Sequence, residues 1–432
     1  MGTLHYDPGS DESLALMQGW IDDCRCRHQL CMKMPPQVGR PKRLLQCLPD
    51  GSVRLVETRS RQRSDYIALS YCWGDGKAVK KTTEKTLGDH QRGIPNESLP
   101  PLFQEVVALT RGLNIAYIWI DSLCIIQDSG KDKVEEIQQM SDIFRGALVV
   151  VVAASAKSPL DSLLKAKPQS DKSHTWRTAS LIRHEEMDLN VKIRQRPWDA
   201  HQYTDATVFT PISKRAWCFQ EQVLASRCLV FNHDEVAWEC QSWGRCECGK
   251  EQDFSVGNAP KSHHMASPMK QYRKMLLPLV EHEPGTLTNF ADAEAAYSFW
   301  ETAVTNYSNR KLMFKADRLP AISAVASVVA GATGDRYLAG LWKNDLLAGL
   351  GWVAYRPEND PGPHQEYIAP TWSWASLPSG GHYWQSKRSY WTQDCRDADL
   401  DATVLDAWTA LEGQNAYGPV SDAAIVLSGF HC

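Results

Sequence analysis

The sequence has no surplus of positive charge. Its 47 Lys and Arg stand against 51 Asp and Glu, for a net charge of -4 over 432 residues. That balance supplies no basic field for nucleic acid or an anionic lipid surface. Long hydrophobic runs are also missing. The longest, such as ALVVVVAASA (147–156), are too short to span a bilayer. The N-terminus, MGTLHYDPGSDESLALMQGW, has no basic region followed by an apolar one, so no secretory signal is read there. Gly2 follows Met1, but Tyr6 stands where a myristoylation box needs Ser or Thr, and Cys432 is not in a prenylation box. Thirteen Cys without a signal peptide imply reduced thiols, with the cytoplasm as the expected location.

Several catalytic signatures are absent too. There is no GK[ST] phosphate loop and no G-x-S-x-G nucleophile elbow. Cys72 and Cys124 lie at or just after expected strands, but no cysteine-nucleophile signature surrounds either, and both read as core thiols. C-x2-C spacing is missing as well, although two segments are dense in metal-ligating types. CRCRHQLC places Cys24, His28 and Cys31 at i, i+4 and i+7, and ECQSWGRCECG carries Cys240, Cys246 and Cys248. Zinc needs four N or S ligands. Without the paired spacing, a packed face of small apolar thiols is favoured over zinc for both segments.

What is present is an ordinary globular composition, 43% hydrophobic and 23% charged, with a high count of sixteen Trp that suggests aromatic cores or stacking surfaces. Residues 14–31 read as an amphipathic helix. RLLQCL and SVRLVE read as a strand pair across the turn PDGS. An alternation follows: strand 66–71, helix 102–113, strand 116–120, helix 131–144 with Asp128 and Ser129 as cap candidates, strand 147–155, helix 213–225, then the strands RCLVF and VAWEC. The expected fold class is therefore α/β, a parallel sheet flanked by helices, with an insertion and a mixed α/β C-terminal region. The divisions are 1–60 (helix and strand pair), 61–248 (the α/β unit, with an insertion over 157–209) and 269–432 (helices followed by short Trp-rich strands), with a linker over 249–268.

Two features single out one end of such a sheet. WGDGKAV (73–79) follows the first strand of the alternation and carries Gly74 and Gly76, but Val79 stands where a dinucleotide fingerprint has its third glycine. On the motif alone a plain glycine loop is the better reading, yet ligands of open α/β sheets bind at the carboxyl ends of strands. In SKRAWCFQE, Trp217, Glu221 and Leu224 fall on one helical face, which puts a carboxylate where a core face rejects charge. Pattern alone leaves two readings of Glu221 open: a structural partner of Arg215 or Arg227, or a functional acid.

Three blocks carry a resemblance: YIALSYCWGDG, YIWIDSLCIIQDSGKDKVEEIQQMSDIFRGALVVVVAASA, and KRAWCFQEQVLASRCLVFNHDEVAWEC. They resemble the signature blocks of the fungal heterokaryon incompatibility (HET) domain. WIDDCRCRHQLC, YSNRKLMFKADRLPAISAVA, YLAGLWKNDLL and APTWSWASL are similar to the segments that flank it. The resemblance implies a fungal protein of self/non-self recognition and cell death, with 61–248 as a TIR-like HET domain whose sheet is parallel and flavodoxin-like. It further implies, through the likeness to TIR domains, an NAD glycohydrolase with Glu221 as catalytic carboxylate in a W-C-x-x-E spacing. Ser213 departs from that pattern by standing two residues farther from the Trp. Ser70, Tyr71, Trp73, Gly74, Asp75, Gly76, Trp217 and Cys218 would line the site. NAD or a related nucleotide would be substrate rather than cofactor. Self-association and an unidentified protein partner are implied; nucleic acid and membrane are not. A non-enzymatic signalling module and a HET fold repurposed for fungal secondary metabolism are the alternatives.

Overall fold

The computed structural model describes residues 7–32, 40–58, 64–164, 210–232, 235–247, 290–354, 366–377 and 402–429, with a few short segments between them. Most of the insertion expected over 157–209, residues 254–268 of the expected linker and Cys248 lie outside the described residues.

A nine-stranded mixed sheet forms the frame. Its strands are β1 (Arg43–Cys47), β2 (Val53–Glu57), β3 (Tyr66–Ser70), β4 (Tyr117–Trp119), β5 (Val149–Val152), β6 (Arg227–Phe231), β7 (Val236–Cys240), β8 (Trp243–Cys246) and β9 (Glu251–Asp253). Their spatial order is β9-β8-β7-β6-β5-β3-β4-β1-β2. The four central strands β4, β3, β5 and β6 are parallel. Numbered by their own sequence, they run second-first-third-fourth, the flavodoxin-like order. β3 and β5 are buried at every residue, as expected of strands covered on both faces. The expectation of a parallel sheet holds for this centre. Antiparallel pairs extend it on both sides: β1 joins β4 and β2 on one, and β7 to β9 continue from β6 on the other.

The helices are α1 (Asp11–Arg27), α2 (Pro101–Gly112), α3 (Asp121–Cys124), α4 (Gly130–Gln138), α5 (Met140–Gly146), α6 (Trp217–Leu224), α7 (Phe290–Tyr307) and α8 (Ser323–Thr333). Helices α1 and α2 pack on each other, as do α5, α6 and α8. Three boundaries differ from the periodicity. The helix expected over 14–31 stops at Arg27, because His28 turns to extended backbone. The helix expected over 131–144 breaks at Gln139. Ser129 sits at the N-cap of α4 without a side-chain cap bond, while Asp128 accepts the Glu84 N–H at 2.8 Å. The helix expected over 213–225 begins only at Trp217, after a 3-10 turn over Pro211–Lys214 in which the Ser213 hydroxyl donates to the Thr210 carbonyl.

Among the described residues, six Trp are buried in cores. Trp300, Trp342 and Trp374 are fully buried, with Trp300 edge-on to Trp342 at 5.6 Å between centroids. TWSWASL, read among the short Trp-rich strands and turns, carries a 3-10 turn over Trp374–Ser376, and residues 423–429 lie in a long hairpin of Ala402–Leu411 with Val420–Gly429. The C-terminal region clamps α6. The Lys311 N–H donates to the Lys214 carbonyl at 2.6 Å, Ala216 N–H to the Lys311 carbonyl at 3.0 Å, and Ala324 N–H to Gln220 Oε1 at 3.2 Å. Among the described residues no helix is long and apolar enough to cross a membrane.

Candidate functional site

The order of the parallel strands places a switch point between β3 and β5, where connections leave in opposite directions, and ligands of open α/β sheets bind beyond the carboxyl ends at such a point. Ser70 ends β3 at that point, and α6 brings Glu221 to it. Glu221 Oε2 accepts the Ser70 hydroxyl at 2.5 Å, and the carboxylate is only 7% exposed. Cys218, one turn earlier, donates its thiol to the Tyr71 carbonyl at 3.5 Å. Two elements far apart in sequence, the end of β3 and α6, therefore meet at one acid.

Burial pushes the Glu221 carboxyl up to about 7. The like charge of Asp121 adds to the rise, and the Ser70 hydrogen bond and the Arg215 guanidinium oppose it. Asp121 starts α3, just past the carboxyl end of β4. Burial raises its pKa too, against the charge of Arg215 and the Trp73 indole N–H, which donates to Asp121 Oδ2 at 2.8 Å. Burial works against the charge of Arg215, but the neighbouring Cys218, Glu221 and Asp121 outweigh it and hold the guanidinium protonated. The centre is thus two buried acids, both held above the usual carboxylate range, beside one charged guanidinium.

Residues 73–76 form the rim. Gly74 and Gly76 take φ of 65° and 78°, the left-handed region that a side chain resists. A Cβ at Gly74 would lie 2.9 Å from Ser158 Cβ, so this glycine also permits a close approach of the loop after β5. Asp75 is exposed and turns back to accept the Lys77 N–H at 3.0 Å. The Trp73 ring is covered by two cations, Lys81 Nζ at 5.1 Å and the Arg215 guanidinium at 5.9 Å from its centroid. Trp217 is half-buried, its indole N–H held by Asp317 Oδ2 at 3.1 Å.

Of the residues singled out in the sequence, Glu221, Ser70, Tyr71 and Cys218 meet directly, and Trp73 joins them through Asp121. Gly74, Asp75 and Gly76 stand on the rim, and Trp217 leans toward the C-terminal region. Of the two arginines considered as partners of Glu221, Arg215 acts on it. Arg227 instead donates to Cys24 Sγ at 3.2 Å, away from this site. Asp121, Lys81 and Asp317 were missed. Asp121 was the findable one, because it directly follows a strand of the parallel centre.

Clefts also open at the amino ends of the strands. One is lined by Arg25, Asp65, Tyr117 and Leu148, and its acid, Asp65, is exposed and ion-paired with Arg25 at 2.9 Å. The perturbed acids lie at the other end of the sheet.

Comparison with known proteins falls on the same segment. Residues 66–221, from the first residue of β3 to Glu221 itself, match the family model described as heterokaryon incompatibility protein (HET). The chain carries a HET domain. The heterokaryon incompatibility protein 6, OR allele, of Neurospora crassa is 34% identical over 93 residues. That alignment covers 20% of this chain and 14% of the Neurospora protein. No solved structure matches the chain. The HET segment begins and ends on the two elements whose side chains, Ser70 and Glu221, meet at the switch point.

Proposed function

We propose that this chain acts in fungal self/non-self recognition, and that its HET domain hydrolyses NAD at the nicotinamide–ribose bond with Glu221 as the catalytic carboxylate. The matched family and the name of the Neurospora relative support the first part. One observation carries the second: a buried carboxyl poised near neutrality at the switch-point crevice, hydrogen-bonded to the strand end below it.

The chemistry asks for little else. Nicotinamide leaves as a neutral base from a cationic one, so no acid is needed at the leaving group. Glycosidases that expel an oxygen need a second carboxyl for that purpose. The C1′–N bond breaks, a water oxygen bonds to C1′, and one proton is released. Ionised Glu221 stabilises the oxocarbenium-like sugar and takes the water's proton, a task best served by a pKa near the working pH. Ser70 fixes the carboxylate in place. Lys81 and Arg215, side by side across Trp73, would face the diphosphate, with backbone N–H groups of the 73–76 loop beside them. Because both cations already cover the Trp73 ring, stacking of a cationic nicotinamide falls to Trp217. Met313 and Phe314, 56% and 63% exposed, supply apolar surface, and Met313 Cε lies near the Gly76 rim.

A second reading has its own observation. Glu221 is largely closed over and already satisfied by Ser70, as a structural acid would be. On that reading the domain signals without turnover, through self-association or a protein partner. Purified full-length chain incubated with NAD separates the two. Hydrolysis predicts nicotinamide and ADP-ribose in equal amounts, with turnover reduced by about 10²–10³ in Glu221→Gln. A light-scattering mass with and without NAD tests self-association. Full turnover in the Gln variant, or none in the wild type, overturns the catalytic proposal.

A further inference from the structure

The buried thiols at the other end of the sheet form a group the proposed chemistry does not use. Cys24, His28, Cys31 and Cys240 are all buried, between 0% and 6% exposed. One ligand atom from each lies within 4.8 Å of all the others. We propose that these four side chains form a structural zinc site that fastens α1 to β7.

The backbone is shaped for it. A continuous helix would place Cys24 and Cys31 about 10 Å apart along its axis, at 1.5 Å per residue over seven residues. The helix instead ends at Arg27. His28 takes extended backbone at φ -91° and ψ 97°, and one helical turn over Gln29–Met32 carries Cys31 back beside Cys24. The fourth member comes from a distant strand: Cys240 ends β7, opposite Arg227 of β6. Three cysteines and one histidine are a common structural zinc set, with bonds of about 2.3 Å to sulfur and 2.0–2.1 Å to nitrogen. A tetrahedron of those bonds spaces its ligand atoms by about 3.4–3.8 Å. Cys240 Sγ and His28 Nδ1 are already 3.3 Å apart.

The surroundings suit thiolates rather than thiols. Arg227 Nε donates to Cys24 Sγ at 3.2 Å, and the Trp243 N–H donates to Cys240 Sγ at 3.2 Å. The Ser242 hydroxyl lies 3.8 Å from Cys31 Sγ. Three thiolates and one zinc ion leave a single negative charge, which Arg227 offsets. His28 turns its other nitrogen, Nε2, toward Asp23 Oδ2 at 3.9 Å, and Arg245 holds that carboxylate at 2.6 Å. A carboxylate behind a ligating histidine fixes its tautomer and orientation. All four positions are filled by protein, so the site is closed and structural, and it stands at the amino end of the parallel strands, away from Glu221. Two other cysteines are not part of it: Cys26 is exposed on α1, and Cys246 donates its thiol to Glu235. On binding, three thiols each release a proton and no electrons move.

Elemental analysis of the full chain, purified under reducing conditions, is expected to find about one zinc per chain. Cys240→Ser is expected to lose at least nine-tenths of that metal, and Cys26→Ser to keep it. Where Cys240→Ser does not fold, cobalt(II) added to chelator-stripped wild type replaces that arm. It should give the intense visible bands of a tetrahedral site with thiolate charge transfer in the near ultraviolet. Folded wild type that carries no metal and takes up neither zinc nor cobalt would overturn the site. So would full metal content in Cys240→Ser, or a disulfide among the three cysteines.

Discussion

Replacing Glu221 by Gln should make the folded protein more stable at pH 8 while leaving its stability at pH 4 nearly unchanged. The sign follows from where the proton sits. The carboxyl has an ordinary value of 4.5 and is held at about 7 in the folded chain, first by burial and then by Asp121. Below pH 4.5 both states carry the proton and the group contributes nothing. Between pH 4.5 and 7 the unfolded chain has lost its proton while the folded chain keeps it, so stability falls as pH rises. Above pH 7 both are ionised and the full cost is present. At about 1.4 kcal/mol per pH unit between 4.5 and about 7, that cost comes to about 3.5 kcal/mol. Gln has the same shape, still accepts the Ser70 hydroxyl, and carries no charge to desolvate. Urea denaturation of wild type and Glu221→Gln across pH 4 to 8 should show curves that converge at low pH and separate by up to about 3.5 kcal/mol at high pH. A variant less stable at every pH would refute the reasoning, because it would mean that the ionised acid is a net stabilising partner of Arg215.

Three further outcomes follow from the same geometry. Asp121→Asn removes a like charge from Glu221, so the acidic limb of the pH–rate profile for nicotinamide release should move to lower pH by up to about one unit. Gly74→Ala forces a side chain into left-handed backbone and against Ser158, and should cost about 2 kcal/mol in chemical denaturation. Asp132→Asn leaves the buried Arg43 guanidinium without its carboxylate and should cost about 3 kcal/mol, read by the same denaturation.

The elements that sequence pattern recovered were those whose own residues suffice to specify them. The valines of β5, the Pro-Asp-Gly turn between β1 and β2, and the periodic α2 each carry a local signal. Breaks were harder. His28 and Gln139 are not helix breakers, and the chain turns at these points to meet distant partners. Glu221 stood out because a charge on an apolar face violates a local rule. Asp121 breaks no rule of its own segment, and it matters only because the parallel order of β4 and β3 sets it beside α6. The thiol cluster was obscured for the same reason. His28 and Cys240 are 212 residues apart, and only the folded sheet shows that members of two separate dense segments share one centre. Cys246, grouped with Cys240 by proximity in sequence, points elsewhere.

Nicotinamide release from NAD by the purified full-length chain, measured beside Glu221→Gln, tests the central claim most directly. The account predicts steady release by the wild type and a loss of about 10²–10³ in a variant that remains folded. Equal release by both proteins, or none from either with the chain self-associated, would contradict it.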